Sequence, residues 1–131
     1  MFPLSFEEAE ILRRRAEDFL ENALKLLDEG KYDLAMFSLE QYCQLILKYK
    51  ILIYKASYPR VHSLRRLIRE LSDIKKDILD LVNNMDYLHY IARIEEAYIA
   101  ARYLPYTYEE REVRDIIRFV LEVFKPYVEK I

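Results

Sequence analysis

The segment from Arg102 to Tyr108 holds the residue types best suited to binding a nucleotide. It reads R-Y-L-P-Y-T-Y, so one arginine precedes three tyrosines, Tyr103, Tyr106 and Tyr108. A guanidinium has five donors that suit phosphate oxygens, and tyrosine rings offer faces on which bases stack. The same residues fit a second interpretation, in which Arg102 pairs with an acidic side chain and the tyrosines pack at a dimer interface. The two interpretations are compatible.

A second group of polar residues lies within Tyr32–Tyr54, which Gly and Pro do not interrupt. Apolar residues would cover most of the circumference of a helix here, so we expect a central, buried helix. Gln41, Gln44 and Lys48 are spaced three and four residues apart and would form one polar seam along it. Because buried polar groups need partners, the seam either lines a polar pocket or faces solvent.

The other candidate residues carry weaker signals. His62 suits the start of a helix better than acid–base catalysis, and His89 suits a helix surface. With two histidines and no cysteine pair, we expect no metal ion, and we expect no cofactor. One glycine cannot form a Gly-rich phosphate loop. Cys43, the only cysteine, stands among apolar residues and is interpreted as an inert core thiol.

Helical periodicity organises the chain around the central helix. A first helix is predicted from Ser5, with Ser5 and Glu8 as a capping box, to Gly30, the only glycine, which suits a helix C-terminus. A tight reversal at Gly30 would make the first two helices an antiparallel hairpin. Pro59 ends the central helix, and a third helix is predicted for His62–Leu71.

Two longer helices complete the predicted fold, after one or two helical turns and a break at Asn83–Asn84. They are Asp86–Tyr103 and a last helix that opens with a capping box of Thr107 and Glu110 and continues to Tyr127. No segment alternates with period two, so we expect no sheet. The predicted fold class is all-α, an up-and-down antiparallel bundle of four to five helices in a single domain, 1–131.

The composition and charge of the chain give no indication of a membrane protein or of a strongly basic nucleic-acid-binding protein. The net charge of −2 gives no whole-molecule attraction to nucleic acid or membrane. Apolar runs such as Ile51–Tyr54 are far too short to span a bilayer, and Met1–Glu10 does not resemble a signal peptide. We therefore expect a cytoplasmic protein.

Two compositional features carry further predictions. One glycine, two Gln and three Asn suggest short loops and few thermolabile residues, which is typical of thermophilic proteins. That hypothesis requires a melting temperature above about 65 °C, the top of the usual mesophile range. The twelve tyrosines favour a subunit interface, so we predict a homodimer.

Three pieces of the chain together resemble the HEPN (higher eukaryotes and prokaryotes nucleotide-binding) domain. They are E-Q-Y-C-Q-L-I-L-K at Glu40–Lys48, Y-P-R-V-H-S-L at Tyr58–Leu64 and A-Y-I-A-A-R-Y-L-P at Ala97–Pro105. Such domains typically carry a glutamine–alanine-rich stretch with a glutamate and a lysine on helix 2, a histidine–polar–leucine start to helix 3, and an arginine–tyrosine–proline signature. The resemblance covers most of the chain and keeps the order of the pieces.

The resemblance places family positions on this sequence one by one. Gln41 and Lys48 match positions on helix 2, and His62 matches the start of helix 3. Arg102 and Tyr103 match the arginine–tyrosine pair, although a leucine is inserted before the proline. Gln44 stands where the family often has glutamate, which removes a charge and an acid or base from that position.

The ribonuclease motif of the family is absent. Ribonuclease members have an arginine followed after four to six residues by a histidine, and counting from Arg102 reaches Thr107, Tyr108 and Glu109. Tyr108 would be a poor general base in place of the histidine, since the usual pKa of tyrosine is about 10.

The resemblance therefore implies a non-catalytic module that binds a nucleotide or RNA. Family members are often homodimeric and encoded beside a minimal nucleotidyltransferase in toxin–antitoxin-like pairs, which implies such a partner. One alternative is a metal-independent, toxin-like ribonuclease with a degenerate active site, and another is a purely structural helical dimer. The predicted nucleotide-binding residues are Arg102, Tyr103, Tyr106, Tyr108, Lys48, Gln44 and His62.

Overall fold

A computed structural model describes residues 3–104 and 107–131, with side chains from residue 6 onward. Its α-helices are, in chain order, α1 (Pro3–Asp28), α2 (Tyr32–Lys55), α3 (Leu64–Leu71), α4 (Asp80–Asn83), α5 (Met85–Tyr103), α6 (Glu110–Phe119) and α7 (Lys125–Glu129). A 3-10 turn, Lys76–Leu79, precedes α4, and a π-helical turn, Val120–Phe124, joins α6 to α7. The described residues contain no strand, and the prediction of an all-α bundle is confirmed.

The predicted reversal between α1 and α2 is present. Gly30 has a φ of 75°, a left-handed conformation that glycine adopts at little cost. The Gly30 N–H donates to the Leu27 carbonyl at 3.0 Å, and the Lys31 N–H donates to the Leu26 carbonyl at 2.9 Å. These two bonds satisfy carbonyls that the end of α1 would otherwise leave without partners.

Helix α2 is the centre of the bundle, as predicted. It packs against α1, α3, α5, α6 and α7, and its inward side is fully buried at Leu39, Cys43 and Leu47. The helix is not buried all round, because Leu34 near its start and Ile53 and Tyr54 near its end are about half exposed. Its middle, where the polar seam lies, is therefore the part most enclosed by other helices.

Several predicted helix ends were wrong. Helix α1 begins at Pro3 and not at Ser5, which lies inside its first turn. Helix α3 begins at Leu64, because the Ser63 hydroxyl accepts the Arg66 N–H and caps the helix after His62. The predicted capping box of Thr107 and Glu110 is also absent.

The remaining boundaries agree more closely with the prediction. Asn84 supplies the break before α5, since its side-chain oxygen accepts the backbone N–H groups of Asp86 and Tyr87. The last helix continues past Tyr127, with the π-helical turn at its middle. None of the described helices is long and apolar enough to cross a membrane.

Candidate functional site

The polar seam of α2 is centred on Glu40, which is buried completely. The Gln41 side-chain amide donates to one Glu40 carboxylate oxygen at 2.8 Å, and the Gln44 amide donates to the other. Gln44 is nearly as buried as Glu40, and its carbonyl oxygen accepts from the Lys48 ammonium at 3.2 Å. Lys48, Gln44 and Glu40 thus form a continuous hydrogen-bonded row along one side of the helix, four residues apart.

The open end of this row is bordered by the loop between α2 and α3. The Lys48 ammonium lies 5.7 Å from the ring centre of Tyr58, and the Arg60 guanidinium lies 5.6 Å from the same ring. Burial lowers the pKa of Lys48, and the positive charge of Arg60 lowers it too, whereas Glu40 acts in the opposite direction. Tyr58 is therefore an aromatic ring with two cations near it.

Arg102, in the last turn of α5, is exposed and held among aromatic rings. Its guanidinium carbon lies 4.6 Å, 4.9 Å and 5.1 Å from the ring centres of Tyr98, Tyr103 and Phe37. Its Nε and Nη2 donate to the backbone carbonyl of Tyr98 at 3.0 and 2.6 Å. No carboxylate among the described residues lies within 4.0 Å of this guanidinium, so the expected acidic anchor is not observed.

His62 also contacts Tyr98. The two rings stack with centres 4.1 Å apart, and the His62 Nε2 lies 3.1 Å from the Tyr98 hydroxyl. Tyr98 therefore contacts a histidine with its ring and an arginine with its backbone and ring. Tyr98 therefore joins the loop before α3 to the end of α5, beside the bond from Ser63 to Glu95 at 3.1 Å.

Electrostatics distinguishes Glu40 from every surface carboxylate described here. Burial raises the pKa of the Glu40 carboxyl to about 7, and the hydrogen bonds from Gln44 and Gln41 and the charges of Lys48 and Arg102 only partly oppose that rise. The group therefore exchanges its proton near neutral pH. Because Arg102 lies against Phe37 of α2 and both cations act on Glu40, the seam of α2 and the end of α5 belong to one site, which we call the polar cluster: Glu40, Gln41, Gln44, Lys48, His62, Tyr98 and Arg102.

The structure brings four predicted site residues together and leaves out others. Gln44, Lys48, His62 and Arg102 belong to the polar cluster, and Tyr103 lies beside it, 70% exposed. Tyr106 lies outside the described residues.

Tyr108 does not share this surface. Its side chain is 2% exposed, its backbone N–H donates to the Asp33 carboxylate at 2.8 Å, and its ring lies 4.5 Å from the Arg93 guanidinium carbon. A buried ring offers no face to a base, so we leave Tyr108 out of the site.

Two residues of the site were missed by sequence reasoning. Glu40 is spaced four residues before Gln44, so the seam continues by one turn, and this spacing could have revealed it. The sequence gave no indication that Tyr98 belongs to the site, because its contact with His62 depends on how the loop before α3 packs against α5. Among the described residues no group of three or more His, Cys, Asp and Glu is arranged to hold a metal ion.

Comparison with known proteins identifies the fold family. The model of the HEPN domain matches residues 9–131, nearly the whole chain. The chain belongs to the HEPN family. No curated protein and no solved structure matches it significantly. Gln44 stands where members of the family often have glutamate. In this HEPN domain a carboxylate lies one turn earlier, at Glu40, and the Gln44 amide donates a hydrogen bond to it.

Proposed function

We propose that this HEPN domain binds a nucleotide or single-stranded RNA at the polar cluster without cleaving it. Arg102 and Lys48 would contact phosphate oxygens, and the exposed ring of Tyr103 and the ring of Tyr58 would stack on bases. His62 and Gln44 would hold Tyr98 and Lys48 in place. The proposal concerns a non-catalytic module that acts through binding.

The environment of Arg102 is the observation that carries this proposal. A guanidinium usually pairs with a carboxylate when one is near, and other arginines of the chain do so, such as Arg65 with Glu95 at 2.7 Å. Arg102 instead lies against three aromatic rings with its Nη1 directed to no described carboxylate. A cation held by aromatic rings, with no carboxylate of the described residues within 4.0 Å, is suited to an anionic, flat ligand.

The first experiment compares ligand binding by wild type and Arg102→Ala. Adenosine monophosphate and a labelled oligoadenylate are titrated at low salt and the dissociation constants measured. We expect Arg102→Ala to weaken binding at least about tenfold, since a charge-assisted bond to phosphate contributes about 1.5–3 kcal/mol. Arg15→Ala, which removes an exposed arginine from α1, is the matched control and should bind as wild type does.

Two outcomes would contradict the proposal. One is the absence of binding of either probe at millimolar concentration. The other is an equal loss of affinity in Arg102→Ala and Arg15→Ala, because that would indicate a non-specific charge effect and not a site at Arg102.

A specific contact favours ribonuclease activity as the second candidate function. His62 and Arg102 both contact Tyr98, so a histidine lies near the arginine although the family's linear motif is absent. Tyr108 cannot take the place of the missing histidine, because its side chain is buried. Incubating the same labelled RNA with a chelator present tests this function. Cleavage that is lost in both Arg102→Ala and His62→Ala would replace the binding proposal.

Assembly is the remaining part of the proposal. Exposed apolar residues near the end of α5, namely Ile99, Tyr103 and Leu104, support a homodimer that brings two polar clusters near one another. Family membership supports a minimal nucleotidyltransferase as partner, in a toxin–antitoxin-like pair. Co-purification of a co-expressed nucleotidyltransferase with the tagged chain tests that partner.

A further inference from the structure

Glu40 is a buried carboxylate close to two cations that do not pair with it. No Lys or Arg nitrogen of the described residues lies within 4.0 Å of its oxygens, which accept from the amides of Gln41 and Gln44. Lys48 and Arg102 nevertheless lie close enough to lower its pKa. The arrangement thus contains a buried negative charge and two positive charges that are less buried, Lys48 half-buried and Arg102 exposed.

The charge of this site therefore depends on one proton. With Glu40 ionised, its negative charge partly cancels the fields of Lys48 and Arg102. With Glu40 protonated, both cations act on an incoming anion without that internal competitor. An anion bound beside them disfavours the ionised form of Glu40 in turn, so binding and proton uptake are reciprocally coupled.

Gln44 extends this coupling to Lys48. While Glu40 is ionised, the Gln44 NH₂ group donates to it and the Gln44 carbonyl accepts from Lys48. A protonated carboxyl must donate its O–H, and the carbonyl of Gln44 or of Gln41 can accept it. When Gln44 is the acceptor, its amide is rotated and its NH₂ group turns toward Lys48, and two donors cannot bond. In that arrangement Lys48 loses its hydrogen bond to Gln44.

We infer that Glu40 sets the affinity of the polar cluster for anions, binding an anionic ligand together with one proton and releasing both as Glu40 ionises. The ligand class is a phosphate ester, and the inference rests on the proposed function of the same site. Its basis is the geometry: a buried carboxylate accepts from two glutamine amides, Lys48 is bonded to one of those glutamines, and Arg102 lies against Phe37 of the same helix. Glu40 and Gln44 act through Lys48 and Arg102 and do not themselves contact the ligand.

Few charged or titratable groups of the described residues act on Glu40. Its own helix contributes Lys48 and the thiol of Cys43, which burial keeps protonated by raising its pKa well above the usual value. Helix α5 contributes Arg102, and the loop before α3 contributes Arg60, which acts on Lys48. His62 is the one histidine of the cluster, and the test therefore includes a variant of it.

The test measures oligoadenylate binding at about pH 6 and about pH 8, using a probe with a 5′-hydroxyl so that only phosphodiesters carry charge. Wild type should bind about tenfold more tightly at the lower pH, within the usual range of coupling between sites. Calorimetry at neutral pH in buffers of different ionisation enthalpy should show net proton uptake. Glu40→Gln should bind with one affinity at both pH values and without proton uptake, whereas His62→Gln should retain the pH dependence.

The outcomes separate this inference from the proposed function. Binding that does not vary with pH and takes up no proton in wild type would overturn the role of Glu40 and leave phosphate binding intact. A pH dependence of binding that is lost in His62→Gln but kept in Glu40→Gln would also overturn the role of Glu40 and leave phosphate binding intact. No binding at either pH would overturn both. Because proton uptake is measured on wild type, the test does not require Glu40→Gln to fold.

Discussion

Glu40 also makes the stability of the bundle depend on pH. Its pKa rises from 4.5 to about 7 on folding, so the folded state holds its proton more tightly than the unfolded chain does. The stabilisation from this group is complete below about pH 4.5 and is lost as pH rises through about 7. Above that pH, burying the ionised carboxylate costs roughly 3 kcal/mol.

Glu40→Gln should therefore change stability in a pH-dependent way. Relative to wild type, the variant should gain about 2 kcal/mol in unfolding free energy between about pH 5.5 and about pH 8, because glutamine cannot ionise. Urea denaturation at both pH values measures this difference. Glu21→Gln, at an exposed position of α1, should follow wild type. A Glu40→Gln difference that stays constant with pH would show that Glu40 does not titrate in this range.

At the residue scale, spacing predicted part of the site. Gln44 and Lys48 were found because they interrupt an apolar helix, and Arg102 because it heads a tyrosine-rich segment. The burial of Glu40 could not be predicted, since a glutamate on a long helix is usually solvated. Tyr108, in contrast, was predicted to offer its ring to a nucleotide at the surface, and its side chain is buried. Its position depends on the contact of its backbone with Asp33, which is distant in sequence.

At the scale of the element, Ala56 is the strained end of α2. It has a φ of 67° in the position after the helix, where its N–H donates to the Leu52 carbonyl at 2.9 Å. Gly30, two residues after the end of α1, has a similar φ of 75° without that strain. We expect Ala56→Gly to stabilise the fold by roughly 0.5–1 kcal/mol and Gly30→Ala to destabilise it by roughly 1 kcal/mol.

Chemical denaturation of the two variants measures both effects. A methyl group at Gly30 would meet only the Tyr32 hydroxyl, at 3.9 Å, so its cost comes from the backbone and not from a clash. Ala101→Gly, inside α5, is the control and should destabilise by about 1 kcal/mol. Destabilisation by Ala56→Gly would show that the end of α2 is not strained by its alanine.

Element types were more predictable than their ends. The strong periodicity and the single glycine predicted the hairpin of α1 and α2 correctly. The predicted start of α3, His62, was two residues too early, because the Ser63 hydroxyl caps the helix and α3 begins at Leu64. His62 lies in the loop before α3, and from there its ring stacks on Tyr98. Inside the helix, the direction of its side chain would instead be set by the helix backbone. The misplaced boundary and the overlooked partner of His62 thus have one cause.

At the scale of the whole molecule, the homodimer stays a prediction. We expect light scattering at micromolar concentration to give twice the 16.0 kDa mass of the chain. Ile99→Asp should shift the protein to a monomer, because it places a charge in the exposed apolar surface at the end of α5. Met85→Asp, at the other end of the same helix, is the control and should remain dimeric. A monomeric wild type would exclude this assembly.

The single buried cysteine offers a way to search for the natural ligand. Cys43 is 0% exposed at the centre of α2, so a thiol reagent reaches it only when the bundle opens. Any compound that binds the folded domain lowers the population of the open state, whatever its chemical class. The rate of Cys43 labelling therefore reports ligand binding without an activity assay. A mixture of cellular metabolites and RNA fragments can be fractionated by how strongly each fraction slows that reaction.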